Sequence, residues 1–175
     1  MSLAAKSLLL IAVLGLAACN NPDRYGAGGA GGAGGAGGAG GIDTTGLGDP
    51  NNPTSIAYFN QTVGDRVLFA VDQSTISPEG RGILTAQANW LNQNTGYAAI
   101  IEGHADEQGT REYNLALGAR RAAAVQNFLI SQGVAASRLR TISYGKERPL
   151  EGCSEEACYA KNRRAVTVLS AGAGV

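Results

Sequence analysis

Between Gly26 and Gly41 the chain carries no side chain larger than a methyl group. A Gly-Gly-Ala repeat has nothing with which to build a core. Collagen's proline and strict Gly-X-Y composition are missing, so a triple helix is not expected. Asp49-Pro50-Asn51-Asn52-Pro53 continues the loop chemistry. Residues 19–55 are therefore expected to be a disordered Gly-rich tether. Folding is then confined to residues 56–175, enough for one ordinary domain. As a flexible coil, residues 20–55 would span about 30–36 Å. Fully stretched they would reach roughly 120–130 Å.

Ahead of the tether, residues 1–18 read as a secretory signal. Lys6 is its only charge, and Ser7 to Ala18 is a nearly continuous apolar run. As a helix that run rises only about 18 Å, too short for a bilayer core. Small residues close it, and Leu16-Ala17-Ala18-Cys19 resembles a bacterial lipobox, in which the cysteine is lipidated and becomes the new N-terminus. A plain secretory signal with an incidental cysteine is the alternative. A cysteine carrying several acyl chains anchors stably. Asn20 stands where many inner-membrane lipoproteins have Asp, and by that resemblance the destination is the periplasmic face of the bacterial outer membrane. No cofactor is expected beyond the covalent lipid on Cys19.

The remaining chain alternates strand and helix signals. Val67 to Val71 is a short apolar run that reads as a strand. Ser77-Pro78-Glu79 starts a helix, with Ser77 as cap and Pro78 at the first position. Ile83, Leu84, Gln87, Trp90 and Leu91 keep helical spacing to about Asn94. Tyr97 to Glu102 is a second strand. Thr110 is placed to cap a helix that stops at Gly133. Leu139 to Tyr144 alternates as a third strand, Ser154 to Lys161 is a short helix, and Ala165 to Leu169 is a last strand. This order predicts an α+β domain, a βαβαβ-type sheet with helices on one face.

Chemistry concentrates between Glu102 and Ala124. At 100° per residue Leu117, Val125 and Phe128 fall within about 40° of Arg121, so Arg121 lies on the apolar stripe with Asn114. Arg120 lies about 100° away, on the flank. An inward guanidinium needs a partner, because an unpaired buried charge is very costly. Asp106, in the loop feeding this helix, is the nearest acid in sequence. An acid and a base converging at a helix N-terminus suit a small zwitterion, the ammonium on Asp106 and the carboxylate on Arg121 and free backbone N–H groups. Each residue also has a structural reading: Asp106 as a turn residue, Arg121 as an internal ion pair, His104 as a satisfied strand-end histidine.

Glu102-Gly103-His104-Ala105-Asp106, then Asn114-x-x-Leu117-x-x-Arg120-Arg121-Ala122-x-x-Val125, resembles the OmpA-like peptidoglycan-binding domain family. Ser143-Tyr144-Gly145-Lys146-Glu147-x-Pro149 and Asn162-Arg163-Arg164-Ala165 continue the resemblance in the same order, over roughly Val67 to Leu169. It implies a two-layer sandwich with a mixed four-stranded sheet. It also implies a peptidoglycan site in which Asp106 and Arg121 grip the diaminopimelate of the stem peptide. Asn114 and Leu117 belong to the same motif. Asp72 matches the family's Phe-Asp motif at the rim, with Val71 in place of the Phe. Arg164 matches the second arginine of the Asn-Arg-Arg motif and either touches the site or supports it. The resemblance further implies TolB and other Tol proteins as partners, with roles in envelope integrity and outer-membrane constriction at cell division.

Charge sets one class aside. The chain has 14 basic and 14 acidic side chains, and losing the signal removes only Lys6. There is no basic surplus for nucleic acid. With Cys19 lipidated, Cys153 and Cys158 are left as an even pair in an oxidising compartment, so a disulfide is expected. One histidine is too few for a structural zinc site, and no metal is expected. An enzyme acting on the wall is a competing reading, through Glu102, His104 and Asp106, but no Gly-x-Ser-x-Gly elbow supports it. A module that binds TolB without strong wall binding is the other alternative.

Overall fold

The computed structural model describes residues 46–172. The signal at 1–18, lipidation at Cys19 and the tether up to residue 45 lie outside the described residues.

The stretch expected to end the tether is instead part of the folded body. Leu47 packs against the core. Trp90 Nε1 donates to the Pro53 carbonyl at 2.8 Å, and the Tyr97 hydroxyl donates to the Thr54 carbonyl at 2.7 Å. Ser55 is 1% exposed. The polar tips of buried Trp and Tyr need acceptors, and this Pro/Asn-rich segment supplies them. The boundary near residue 55 is therefore drawn too late, and the body reaches back at least to Leu47.

Ser55 caps a short helix α1, Ile56–Tyr58, which runs on as a π-helical stretch Phe59–Gly64. The sequence reading missed both. They bury Phe59, whose ring lies 5.0 Å from that of Trp90, itself 5.1 Å from Tyr97. Strand β1 is Arg66–Leu68, shorter than the apolar run suggests. A turn ends it, with Gln73 N–H on the Ala70 carbonyl and Asp72 at φ 55°. Helix α2 is Pro78–Gln93, capped by Ser77, whose hydroxyl accepts from Gly80 N–H at 3.0 Å. Then follow β2 Tyr97–His104, α3 Arg111–Ser131, β3 Leu139–Gly145, α4 Glu156–Asn162 and β4 Arg164–Ala171.

The sheet order is β1-β4-β2-β3, with β2 and β3 parallel and β4 antiparallel to both β1 and β2. This is the mixed four-stranded sheet of the expected class. Val67, Ala165 and Gly103 lie in one cross-strand row. A side chain on Gly80 of α2 would meet Val67, and one on Gly103 would meet Gly118 of α3. Both long helices therefore cover the same face of the sheet. Leu84, Leu91, Ile101, Val125 and Leu129 fill the space between the layers, each adding about 1.5–3 kcal/mol on burial.

The Gly103–Gly118 crossing positions the site. A Cβ on Gly103 would overlap the Gly118 carbonyl, and one on Gly118 would crowd Ser143 and the Gly103 carbonyl. Only two glycines let α3 lie this close to β2. The start of α3 is thereby held beside the end of β2.

Candidate functional site

The site forms where β2 ends and α3 begins. Ala105 N–H bonds the Gly145 carbonyl at 2.8 Å, extending the ladder one residue beyond β2. The chain then turns through Gly109, at φ +85°. Thr110 caps α3, its hydroxyl accepting from Tyr113 N–H at 3.2 Å. The first turn of α3 leaves backbone N–H groups without helical acceptors at this point.

Asp106 is 8% exposed. Its Oδ2 accepts from Arg163 Nη1 at 3.1 Å, and its Oδ1 from Gln108 N–H at 3.3 Å. Arg163 also donates through Nη2 to a Glu156 carboxylate oxygen and through Nε to the Phe69 carbonyl at 3.3 Å. Burial works against the Arg163 charge, but its bonds to Glu156 and Asp106 outweigh that and hold its pKa above the usual arginine value.

Arg121 lies on the inward stripe, as its spacing requires, and is fully buried. Its expected ion pair with Asp106 is not formed. Arg121 Nε donates to the Gln73 carbonyl at 2.8 Å, Nη1 to the His104 carbonyl at 2.8 Å and Nη2 to the Ala70 carbonyl at 3.1 Å. Its guanidinium also lies over the Phe69 ring at 5.2 Å. The turn after β1 and the end of β2 converge on this spot with carbonyls that need donors, and they outcompete the carboxylate. An arginine has five N–H groups, so two remain beyond these three bonds. Burial lowers the Arg121 pKa to about 10, against the pull of nearby Asp106; Arg163 lowers it further, while Asp72 and Tyr113 raise it. It stays cationic at neutral pH.

The other sequence candidates divide. Asp72 lies at the rim, exposed, accepting from the Tyr113 hydroxyl at 3.1 Å. Asn114 is 1% exposed and donates to the Gln108 carbonyl at 2.6 Å, while its buried Oδ1 has no partner among the described residues. Leu117 is a buried apolar side chain, 3% exposed. Arg164 lies on the opposite, helix-free face, in register with Leu68, and donates to the carbonyls of Arg148 and Asn162 at 3.2 and 3.4 Å. His104 shares that face, 2% exposed, its ring 5.5 Å from Tyr144. Burial, then Arg164 and Arg148, lower its pKa to about 4, so it is neutral. His104 Nε2 lies 3.5 Å from Glu102 Oε2, whereas the Asp106 carboxylate is bonded to Arg163 and to Gln108 N–H.

Arg163 is the residue the sequence reading missed. A signal for it existed. Ala165, Thr167 and Leu169 face the helices, and period two puts Arg163, not Arg164, on their side. Cys153 and Cys158 form a disulfide, with Cα atoms 5.9 Å apart.

Comparison with known proteins gives a consistent family. The OmpA family matches residues 68–163. A peptidoglycan-associated lipoprotein of Mesorhizobium japonicum is 59% identical over 122 residues, covering 70% of this chain and 72% of that protein. One from Agrobacterium fabrum is 54% identical over 132 residues, 74% of each. The crystal structure of the peptidoglycan-associated lipoprotein from Burkholderia pseudomallei superimposes with a TM-score of 0.62 at 36% identity, covering 70% of this chain and all of that one.

Proposed function

The chain belongs to the OmpA family, and from that membership we propose that it binds peptidoglycan non-covalently through the diaminopimelate of the stem peptide. The far end of that side chain carries an ammonium and a carboxylate. Asp106 takes the ammonium. The two uncommitted N–H groups of Arg121 take the carboxylate, helped by the first-turn amides of α3. Asn114 Oδ1, a buried acceptor without a donor among the described residues, gives the ammonium a second contact. One observation carries the reading: a nearly buried carboxylate, Asp106, lies just ahead of α3 and within electrostatic reach of the buried Arg121 guanidinium, which has N–H groups to spare. The Mesorhizobium and Agrobacterium relatives are peptidoglycan-associated lipoproteins, which supports the same reading.

In this reading the protein is a lipoprotein, tied to the outer membrane by lipid on Cys19 and to the wall by this domain. Binding is its work rather than catalysis. TolB and other Tol proteins are its protein partners, in envelope integrity and in constriction of the outer membrane at division.

Purified sacculi test the ligand. The protein is expected to sediment with them and to be released by free meso-diaminopimelate. Sedimentation unaffected by excess diaminopimelate would contradict the ligand assignment. Cys19→Ala tests the anchor and should move the protein to the soluble periplasmic fraction. Its persistence in the outer-membrane fraction after wall digestion would overturn lipidation.

A further inference from the structure

The segment closed by the Cys153–Cys158 disulfide reaches the loop that carries Asp106. Ser154 Oγ donates to Glu107 Oε1 at 2.7 Å, and the Tyr159 hydroxyl donates to the same oxygen at 2.9 Å. Glu156 binds Arg163, which in turn binds Asp106. Two links thus run from this segment to two consecutive residues of the site loop. Ser154 and Glu156, which start both links, lie inside the ring that the disulfide closes.

Little else fastens that stretch. Residues 153–157 are all exposed, and α4 begins at Glu156 with no side-chain cap. An uncapped first turn without buried contacts frays readily. Cys158, 7% exposed, is the first residue of α4 set into the body. The disulfide ties the exposed arm back to it. Across the loop, Lys146 Nζ donates to the carbonyls of Glu107 and Gly109 at 3.2 and 2.7 Å. The loop is thus held from a second side, and losing one side need not unfold it.

Building on the peptidoglycan reading above, we propose that Glu107 is a positioning residue for the wall-binding site. The disulfide-closed segment 153–158 is the brace that holds Glu107, and through Glu156 and Arg163 it aims the Asp106 carboxylate. Neither cysteine touches the ligand. The bridge acts by keeping Ser154 and Glu156 where Glu107 and Arg163 can use them, so a ligand does not have to order the loop on binding.

The test is a double-mutant cycle read as affinity for diaminopimelate-containing sacculi, at a temperature where every variant is folded. Cys153→Ser/Cys158→Ser should weaken binding about five- to tenfold, the loss of one or two modest hydrogen-bond contributions. Glu107→Gln/Glu156→Gln should weaken it by a similar factor. The two together should be far from additive, because the bridge works through those carboxylates. A disulfide that only stabilises the fold lowers the melting temperature and leaves affinity unchanged. Affinity equal to wild type in the bridge variant, or fully additive losses, overturns the proposal. Asp106→Asn runs in parallel. If it binds like wild type, the peptidoglycan reading itself has failed. If it loses binding while the bridge variant does not, only the brace has failed.

Discussion

Arg121→Ala is expected to cost about 3–5 kcal/mol of stability, in addition to wall binding. The guanidinium is fully buried and bridges three segments: the Ala70–Gln73 turn, the end of β2 and α3. Truncation leaves a cavity against Phe69 and three carbonyls without donors. A domain of this size holds about 5–15 kcal/mol in all, so the variant sits near the edge of folding. Arg121→Lys keeps the charge but loses the planar fork. One ammonium cannot serve three divergent carbonyls and a ligand carboxylate together. It should melt between wild type and the alanine variant, with binding markedly reduced. Denaturant melts check this. An alanine variant as stable as wild type would mean that the three bonds contribute nothing.

Asp106→Asn should behave differently. Asparagine matches the shape, and its carbonyl oxygen still accepts from Arg163 or Gln108 N–H. Arg163 also keeps Glu156 as counter-ion. The cost to stability should therefore be modest, about 1 kcal/mol. The cost to binding is larger, because a neutral amide no longer attracts an ammonium. Losing one charge-assisted contact weakens affinity roughly ten- to a hundredfold. A split between intact melting and lost binding is what marks a ligand group.

The fold was legible where local signals agree. Ser77-Pro78, Thr110 and Gly133 bracket α2 and α3 to within a residue or two, because caps and apolar spacing are local. The inward placement of Arg121 followed from spacing alone. Its partners did not. They are backbone carbonyls, two of the three contributed by residues about fifty positions away, and carbonyls leave no trace in side-chain sequence. The 46–55 segment failed for a related reason. Its turn residues look like a linker until Trp90 and Tyr97 are seen to need its carbonyls. Arg163 was readable from strand parity, since it shares the alternation of Ala165, Thr167 and Leu169.

The most direct measurement of the central claim is sacculus binding by wild type, Asp106→Asn and Arg120→Ala, with free meso-diaminopimelate as competitor and melting of the same samples. Arg120 is exposed, off the inward stripe, near Tyr113, and serves as the control. The account predicts that Asp106→Asn melts close to wild type and binds ten- to a hundredfold more weakly, while Arg120→Ala binds almost normally and is still displaced by diaminopimelate. A folded Asp106→Asn protein that binds sacculi as well as Arg120→Ala does would contradict the assignment of this site.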